Sequence, residues 1–540
     1  MSKKPTSVTP QQVTEEYERG NAWKNAVGDN GMAEQNRINE RFYNGDQWRG
    51  VNCGDNRPLV RHNVIKRIGD YKMAVISADP ISVRFQAEGV PNTLELQESI
   101  TAYRQQLRTG DGKAERLLSP EEEAQNAAGA LADYFHVTAR RLKLDILKQT
   151  ALRNAYLTGT GILYTYWDDR IPTGLYADSA HRTPIRGDIA AEVLEVENVV
   201  MGDPAVADIQ SQPYIIVSQR RPVEQLRRMA KTYGGDEADR IRGESRDKKG
   251  GYATLLTRFW KEWDEDGNAC TVKAMQTCGT AVVRPVWDMG IRLYPLAVFR
   301  WNESRRQAYG ESEIPYLIPN QIAINRTVSA GVWGVIMMGM PIMMVNGDVV
   351  TQPITNDPGQ VIPVYGSGEE VKDAIRYVDP PAFSAQLNAN VSALIQDTMT
   401  QAGVSSTLLG DVKPENAAAI IAVREASLMP LQVMKNRFYG FVEDVARIWA
   451  EFWLTMYGDR LLKIEQSDGV WYMPFAWEKY RDLLMSIQVE AGSGSLYDQN
   501  RTLQTLDNLL NHGVINAKQY LSRLPRDTVP KLDALLREIS

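Results

Sequence analysis

The sequence is poor in the residues on which redox and metal chemistry depend. Its 540 residues include three cysteines, Cys53, Cys270 and Cys278. An odd number of widely spaced cysteines argues against a disulfide framework and favours folding in a reducing cytoplasm. The four histidines are scattered, and no two have the spacing of a zinc site. We therefore expect no disulfide framework, no bound metal and no cofactor.

Sequence motifs of catalysis are missing as well. Gly110–Lys113 lacks both the spacing and the hydroxyl residue of a phosphate-binding loop. Glu262–Gly267 imitates a calcium loop, but Lys273 stands where that loop requires a carboxylate. No Gly-x-Ser-x-Gly sequence occurs. The sequence therefore does not predict an enzyme, and it does not predict a motor ATPase.

The chain also lacks a basic excess. It has 61 lysines and arginines against 67 acidic residues, which gives a net charge of −6. A protein that holds DNA statically usually carries a basic excess, because neutralised phosphates supply most of its affinity. We therefore expect that any contact with DNA does not grip it over a large area. The 43% hydrophobic content indicates a folded chain, which at about 150 residues per domain has three or four structural units.

One uncharged stretch, residues 327–347, has to be distinguished from a membrane span. A span needs about 20 consecutive apolar residues. Here the strongly apolar part, Gly331–Val345, is shorter, contains glycines and meets Pro341 near its end. The sequence favours a buried or subunit-facing helix, with a membrane span as the alternative.

Apolar periodicity and turn residues predict an α+β protein. The first thirty residues are polar and are expected to be flexible. Helices are predicted over Met32–Asn44, Arg61–Ala78, Ser119–Leu157, Glu311–Met340, Phe383–Ala402 and Asn416–Tyr457, the last with a kink at Pro430. Strands are predicted over Ile81–Phe85, Gly161–Trp167, Val193–Met201, Pro213–Ser218, Leu255–Trp263, Cys270–Thr277 and Pro295–Arg300.

Two of these helices flank a proline-rich segment that cannot form a long helix. Apolar residues near helical spacing mark the first helix, at Ile314, Leu317, Ile318, Val328, Val332, Val335 and Ile336. A similar stripe marks the second, at Phe383, Leu387, Val391, Leu394, Ile395 and Met399. The pattern predicts a helical hairpin with a small β domain at its tip. The alternative is an ordinary helical hairpin inside a globular core.

Several short sequence segments, taken in order over residues 30–490, resemble segments of the portal proteins of tailed bacteriophages. They are Tyr43–Trp48 with Arg57–Asn63, Leu152–Trp167, Pro295–Asn302, Gly310–Ile314, Leu317–Val328, Met399–Gly410 and Ala417–Pro430. The resemblance implies a portal fold with a mixed wing domain, a long helical-hairpin stem, a small β-containing clip and a helical C-terminal crown.

The resemblance also implies a division of the chain. It assigns 1–30 to a flexible segment, 31–310 to the wing, 311–340 to the first stem helix, 341–381 to the clip, 382–403 to the second stem helix, 404–415 to the tunnel loop, 416–490 to the kinked helix and wing completion, and 491–540 to the crown.

The implied function is a ring-shaped channel at one capsid vertex, through which double-stranded DNA is packaged and ejected. The implied partners are further copies of the chain in a dodecamer, viral DNA bound transiently and without sequence specificity, the terminase large subunit, the head–tail adaptor, and the major capsid and scaffolding proteins. The expected location is the virion, after synthesis in the bacterial cytoplasm, without membrane insertion. The alternatives are another virion structural protein, such as a minor head protein, or a membrane-associated protein.

The implied DNA-facing residues fall in three groups. The tunnel-loop group is Val404, Ser405, Ser406, Thr407, Asp411 and Lys413. The channel-wall group on the second stem helix is Gln386, Asn390, Asp397 and Gln401. A further basic group on the following helix is Arg424, Lys435 and Arg437. The polar wall fits a channel along which DNA must slide, because strong phosphate binding would stall it.

Overall fold

The computed structural model describes most of the chain outside 89–119 and the C-terminal end. The described residues are 8–51, 57–79, 81–88, 120–176, 182–234, 238–243, 251–264, 270–305, 307–338, 343–350, 352–355, 360–377, 385–404, 417–458, 461–466, 469–474, 477, 480–481, 485–491, 496–516 and 520–521. Helices and strands are both abundant over these ranges, so the predicted α+β class is confirmed.

The helices account for the larger part of the regular structure. They are α1 Pro10–Ala26, α2 Met32–Tyr43, α3 Val64–Ser77, α4 Pro120–Leu142, α5 Leu144–Thr158, α6 Val223–Thr232, α7 Ile314–Met338, α8 Gly368–Lys372, α9 Ala385–Gln401, α10 Ala417–Met456 and α11 Leu496–Asn511.

The strands form several small sheets and one larger sheet. They are β1 Ile81–Ala87, β2 Thr160–Tyr176, β3 Pro184–Leu194, β4 Val199–Met201, β5 Ile215–Pro222, β6 Tyr252–Trp263, β7 Cys270–Cys278, β8 Ala281–Asp288, β9 Leu296–Arg300, β10 Met343–Val345, β11 Ile375–Tyr377, β12 Leu461–Gln466, β13 Gly469–Pro474 and β14 Met485–Ala491.

The chain divides into two compact units. The first unit contains Met1–Asn39, Asp70–Glu313 and Met429–Ser540, and the second contains Glu40–Gly69 and Ile314–Leu428. The first unit holds the five-stranded antiparallel sheet β4-β5-β6-β7-β8, the three-stranded sheet β3-β2-β9 and the pairs β1-β14 and β12-β13. The second unit holds the pair β10-β11.

The expected flexible segment 1–30 is corrected by α1, which packs in the first unit. Thr9 caps the helix by accepting a hydrogen bond from the Gln12 backbone N–H at 3.3 Å. Val13 is fully buried with Val200 and Ile216 of the five-stranded sheet. The polar composition of this segment wrongly indicated flexibility, because two charged side chains of α1, Glu16 and Lys24, are themselves buried.

The two buried charges of α1 are paired with groups of the first unit. Arg258 Nε lies 2.7 Å from the Glu16 carboxylate, and both side chains are about nine-tenths buried. The Lys24 ammonium donates to the carbonyls of Val196, Glu197 and Val199 at 2.7–3.0 Å. Pairing of this kind is what allows charged groups to be buried.

The predicted glycine stop between α5 and β2 is confirmed. Gly159 ends α5 in the left-handed conformation, with φ of 87°, and its N–H donates to the Ala155 carbonyl at 2.8 Å. A Cβ placed at Gly159 would lie 2.2 Å from the Gly310 carbonyl oxygen. One at Gly161 would lie 2.1 Å from the Ala151 oxygen. Both glycines are therefore required for backbone packing as well as for the turn.

Aromatic side chains form the core around residues 429–456 of α10 in the first unit. Trp449 and Trp453 are fully buried, and the ring of Trp449 lies 5.1 Å from that of Phe135. The Trp449 indole N–H donates to Thr165 Oγ1 at 3.1 Å. Buried tryptophans usually find such a partner for their N–H group.

Two elements that the sequence predicted as continuous are interrupted in the structure. The helix expected over Ser119–Leu157 is two helices, because Lys143 adopts a left-handed conformation with φ of 53°. The strand expected over Val193–Met201 is broken by a short 3-10 turn at Val196–Asn198. The hairpin predicted around residues 264–268 is confirmed, since β6 pairs with β7 in antiparallel register.

Candidate channel helices and the segment between them

The second unit is built around α7, whose polar side chains hold residues 60–64 of the chain by hydrogen bonds. Ser329, Asn325 and Gln321 accept hydrogen bonds from the backbone N–H groups of Val60, His62 and Val64 at 2.9–3.0 Å. This ladder pairs acceptors four residues apart on α7 with N–H groups two residues apart in the segment.

This ladder was not predicted from the sequence. Its signal in the sequence was the four-residue spacing of the polar residues Gln321, Asn325 and Ser329 along one side of the helix. Gln321 and Asn325 are buried. Such buried side chains need hydrogen-bonding partners, but the sequence does not show which segment supplies them. These three polar residues could have been used to predict a hydrogen-bonded contact at this face of α7.

The helix α9 packs against α7 within the second unit. Asn320 Nδ2, near the start of α7, donates to Thr398 Oγ1, near the end of α9, at 3.2 Å. Thr398 is buried and also donates to the Leu394 carbonyl at 2.7 Å. The start of one helix therefore lies beside the end of the other, as in an antiparallel hairpin. Helix α7 begins three residues later than the sequence predicted, at Ile314, and α9 ends one residue earlier, at Gln401.

The end of α9 has a local cause and corrects one predicted site residue. Gly403 adopts φ of 73°, and the Val404 N–H donates to the Met399 carbonyl at 2.8 Å. This is a Schellman ending, in which the residue after the glycine often makes an apolar contact. Val404, predicted to face DNA from the tunnel loop, is accordingly buried in this chain. The other tunnel-loop residues, Ser405, Ser406, Thr407, Asp411 and Lys413, lie outside the described residues.

The predicted channel-wall residues share one face of α9. Positions 386, 390, 397 and 401 are separated by four, seven and four residues, which returns to nearly the same side of a helix with 3.6 residues per turn. The side chains of Asn390, Asp397 and Gln401 are exposed, while that of Gln386 lies outside the described side chains. Asp397 is the single charged residue of Ala385–Gln401. The face is thus polar and weakly acidic.

The predicted basic group on α10 is mostly engaged within the first unit. Lys435 lies 2.6 Å from the Asp79 carboxylate. Arg437 lies 3.3 Å from the Glu303 carboxylate. The side chain of Arg424 lies outside the described side chains. A DNA contact by Lys435 or Arg437 would have to compete with these ion pairs.

The apolar half of α7 has little cover within the described part of the chain. Val335 is 60% exposed and Met337 is 52% exposed, with Val332 and Ile336 less so. We call these four residues the α7 strip. Of the two placements that the sequence favours, burial within the same chain is wrong for these four residues, and a subunit-facing helix stays a prediction. None of the helices within the described ranges combines the length and apolar character that a membrane crossing requires.

Between the two helices lies a small folded segment. Strands β10 and β11 pair in antiparallel register, with Met344 opposite Arg376. Val349, Val350 and Ala374 form its buried core. Val361 and Tyr365 are among its exposed apolar side chains, at 86% and 67%. The segment therefore has a core of its own and an exposed apolar surface.

Neither the comparison with protein-family models nor the comparison with curated proteins finds a match for this chain.

Proposed function

We propose that this chain is the subunit of a tailed-bacteriophage portal, a ring through which double-stranded DNA enters and leaves the capsid. The observation that carries the proposal is the arrangement of the second unit. An antiparallel pair of helices, α7 and α9, encloses a small β segment between them in the sequence. This order agrees with the stem–clip–stem order that the sequence resemblance implies, and we assign α7 and α9 to the stem.

The α7 strip supports assembly into a ring. Several large apolar side chains exposed together at one end of a helix favour an interaction site over a free surface. In a closed ring each subunit offers two different faces to its neighbours. The strip on one subunit would then be covered by the opposite face of the next. The ring is proposed to be a dodecamer, with the clip docking the terminase large subunit and later the head–tail adaptor.

The exposed face of α9 supports the channel wall. Asn390, Asp397 and Gln401 offer hydrogen-bonding groups and one negative charge but no cation. Each cation placed against a phosphate would add a salt-dependent attraction. A wall without cations therefore holds DNA weakly and lets it slide. Transient contact with the DNA backbone is assigned to Lys413, at the sequence position of the tunnel loop.

The proposed channel wall on α9 can be tested by introducing positive charges into it. Rings carrying Asn390→Lys and Gln401→Lys are expected to bind double-stranded DNA more tightly than wild-type rings, with a steeper loss of affinity as salt rises. The matched control is Asn390→Asp with Gln401→Glu, which is expected to weaken binding. Fluorescence anisotropy over a salt series measures both. Equal salt slopes in all three proteins would contradict a DNA-facing α9.

The proposal as a whole is tested by negative-stain electron microscopy of the purified protein. We expect rings of about twelve subunits with a central hole. A different virion structural protein, such as a minor head protein, would not close into such a ring. A chain that stays monomeric, alone and with the scaffolding protein of its phage, would contradict the proposal.

A further inference from the structure

Strand β8 of the first unit contains a bulge beside Arg284. Gln276 of β7 lies opposite Arg284, and Ala274 lies opposite Trp287. Two steps along β7 thus correspond to three along β8, which leaves one extra residue in β8. In a regular strand, residues three apart point to opposite faces. The bulge instead brings Arg284 and Trp287 together, as bulges beside functional sites often do.

Arg284 is held by aromatic rings and not by a carboxylate. Its guanidinium carbon lies 3.8 Å from the centre of the Trp287 ring and 4.3 Å from that of Tyr233. Ring contact occupies the face of a guanidinium and leaves its in-plane N–H groups for an acceptor. Within the described ranges of the chain, Arg284 makes no hydrogen bond and no ion pair. Partial burial also lowers the pKa of Arg284, which reflects the cost of holding this cation away from water.

The arginine lines a cavity of about 560 Å³ within the first unit. This volume falls in the range of small-molecule sites. Aromatic side chains form much of the wall, including Tyr164 and Tyr166, whose stacked rings lie 5.4 Å apart. Gln276 also lines the cavity, and its Oε1 is buried with no hydrogen-bond partner among the described residues. The cavity therefore offers a cation, flat apolar walls and one unused acceptor.

The carboxylates in the cavity wall leave Arg284 unneutralised. Asp168 accepts a hydrogen bond from the Arg170 backbone N–H at 3.0 Å. Asp288 accepts one from the Gly290 backbone N–H at 2.7 Å. Asp169 acts on Arg284 only through its charge, without an ion pair. An incoming anion would thus meet an arginine that has no competing partner in the described chain.

We propose that this cavity binds an organic carboxylate carried on a flat apolar group. The ligand carboxylate pairs with the Arg284 guanidinium, which can donate two parallel hydrogen bonds to it. The flat group packs against Trp287, Tyr164 and Tyr166, and a donor on the ligand is accepted by Gln276 Oε1. Two sources share this chemistry, a free aromatic acid and the C-terminal aromatic residue of a peptide. The site does not depend on ring assembly or on the proposed channel.

The test uses the full-length protein and ligand-observed NMR titration. Naphthalene-2-carboxylate is compared with naphthalene-2-carboxamide, and the peptide Gly-Gly-Trp with its C-terminal amide. We expect at least one acid to bind about tenfold more tightly than its amide, as charge-assisted pairing to arginine provides. The acid with the higher affinity identifies the source. Binding of neither acid above its amide would overturn the proposal.

A matched pair of variants links the preference to Arg284. Arg284→Gln is expected to remove the difference between acid and amide. Arg37→Gln, at an exposed arginine of the same unit, is expected to keep it. If Arg284→Gln does not fold, Arg284→Lys retains the charge and is expected to reduce the preference, because lysine lacks the bidentate fork. An unchanged preference in the folded Arg284 variant would overturn the assignment.

Discussion

The two units differ in what covers their apolar side chains. In the first unit, the aromatic residues of α10, such as Phe438, Trp449 and Trp453, are at most 1% exposed. In the second unit, Val335 and Met337 of α7 are more than half exposed. The first unit thus completes its core from its own residues, whereas the second presents an apolar surface that a neighbouring molecule can cover. If the proposed ring forms, the contrast separates residues that stabilise the single chain from residues that join its copies.

The largest expected loss of stability comes from the aromatic core of the first unit. Trp449→Ala removes a fully buried ring and leaves a cavity, which costs about 3–5 kcal/mol of the free energy of unfolding. Trp263→Ala is the matched control, because Trp263 is 62% exposed and little of its contact area is lost. Denaturant unfolding of both variants measures the difference. Similar losses in the two variants would contradict the stabilising role of the buried aromatic core in the first unit.

The next effect concerns the buried ion pair that holds α1. Glu16→Ala leaves Arg258 buried without its partner, which costs about 3–5 kcal/mol in such pairs. Glu34→Ala removes an exposed pair with Arg37 and is expected to cost about 0–1 kcal/mol. Limited proteolysis within residues 10–26 reports the release of α1. Protection of this segment in Glu16→Ala would contradict the role of the pair.

A smaller effect is expected from Lys24, whose burial lowers its pKa from 10.5 to about 7. Between these values the unfolded chain binds more protons than the folded chain, so stability rises with pH over this window. From pH 7 to 9, the wild-type free energy of unfolding is expected to rise more steeply than that of Lys24→Met. Chemical denaturation at each pH measures both slopes. Equal slopes would show that Lys24 keeps an ordinary pKa.

Much of the first unit could be predicted because its strands alternate and its breaks carry glycine. The stop at Gly159 and the β6–β7 hairpin followed from local residues alone. α1 could not be predicted in the same way, because its buried Glu16 and Lys24 are satisfied by partners far along the sequence. A single sequence does not indicate such pairings, so a polar composition was mistaken for flexibility.

The candidate site likewise contains features that local sequence predicts and features that depend on distant residues. Helical spacing places Asn390, Asp397 and Gln401 on one face of α9, which the residues themselves determine. The burial of Val404 depends on the glycine ending of the helix. The polar ladder on α7 depends on the distant segment around His62. Local pattern therefore predicted the helix pair and its polar face, while contacts across long sequence separations decided which of these residues are covered.

The central claim is that copies of this chain cover the α7 strip of one another. Mass photometry of the wild type and of a Val335→Asp, Met337→Asp variant tests it most directly, with Ile146→Asp as a control at a residue of the first unit that is 58% exposed. Surface changes of this kind alter stability by less than about 0.5 kcal/mol, and circular dichroism checks that each variant is folded. We predict rings for the wild type and for Ile146→Asp, and folded monomers for the double variant. Rings of unchanged subunit number in the double variant would contradict the account.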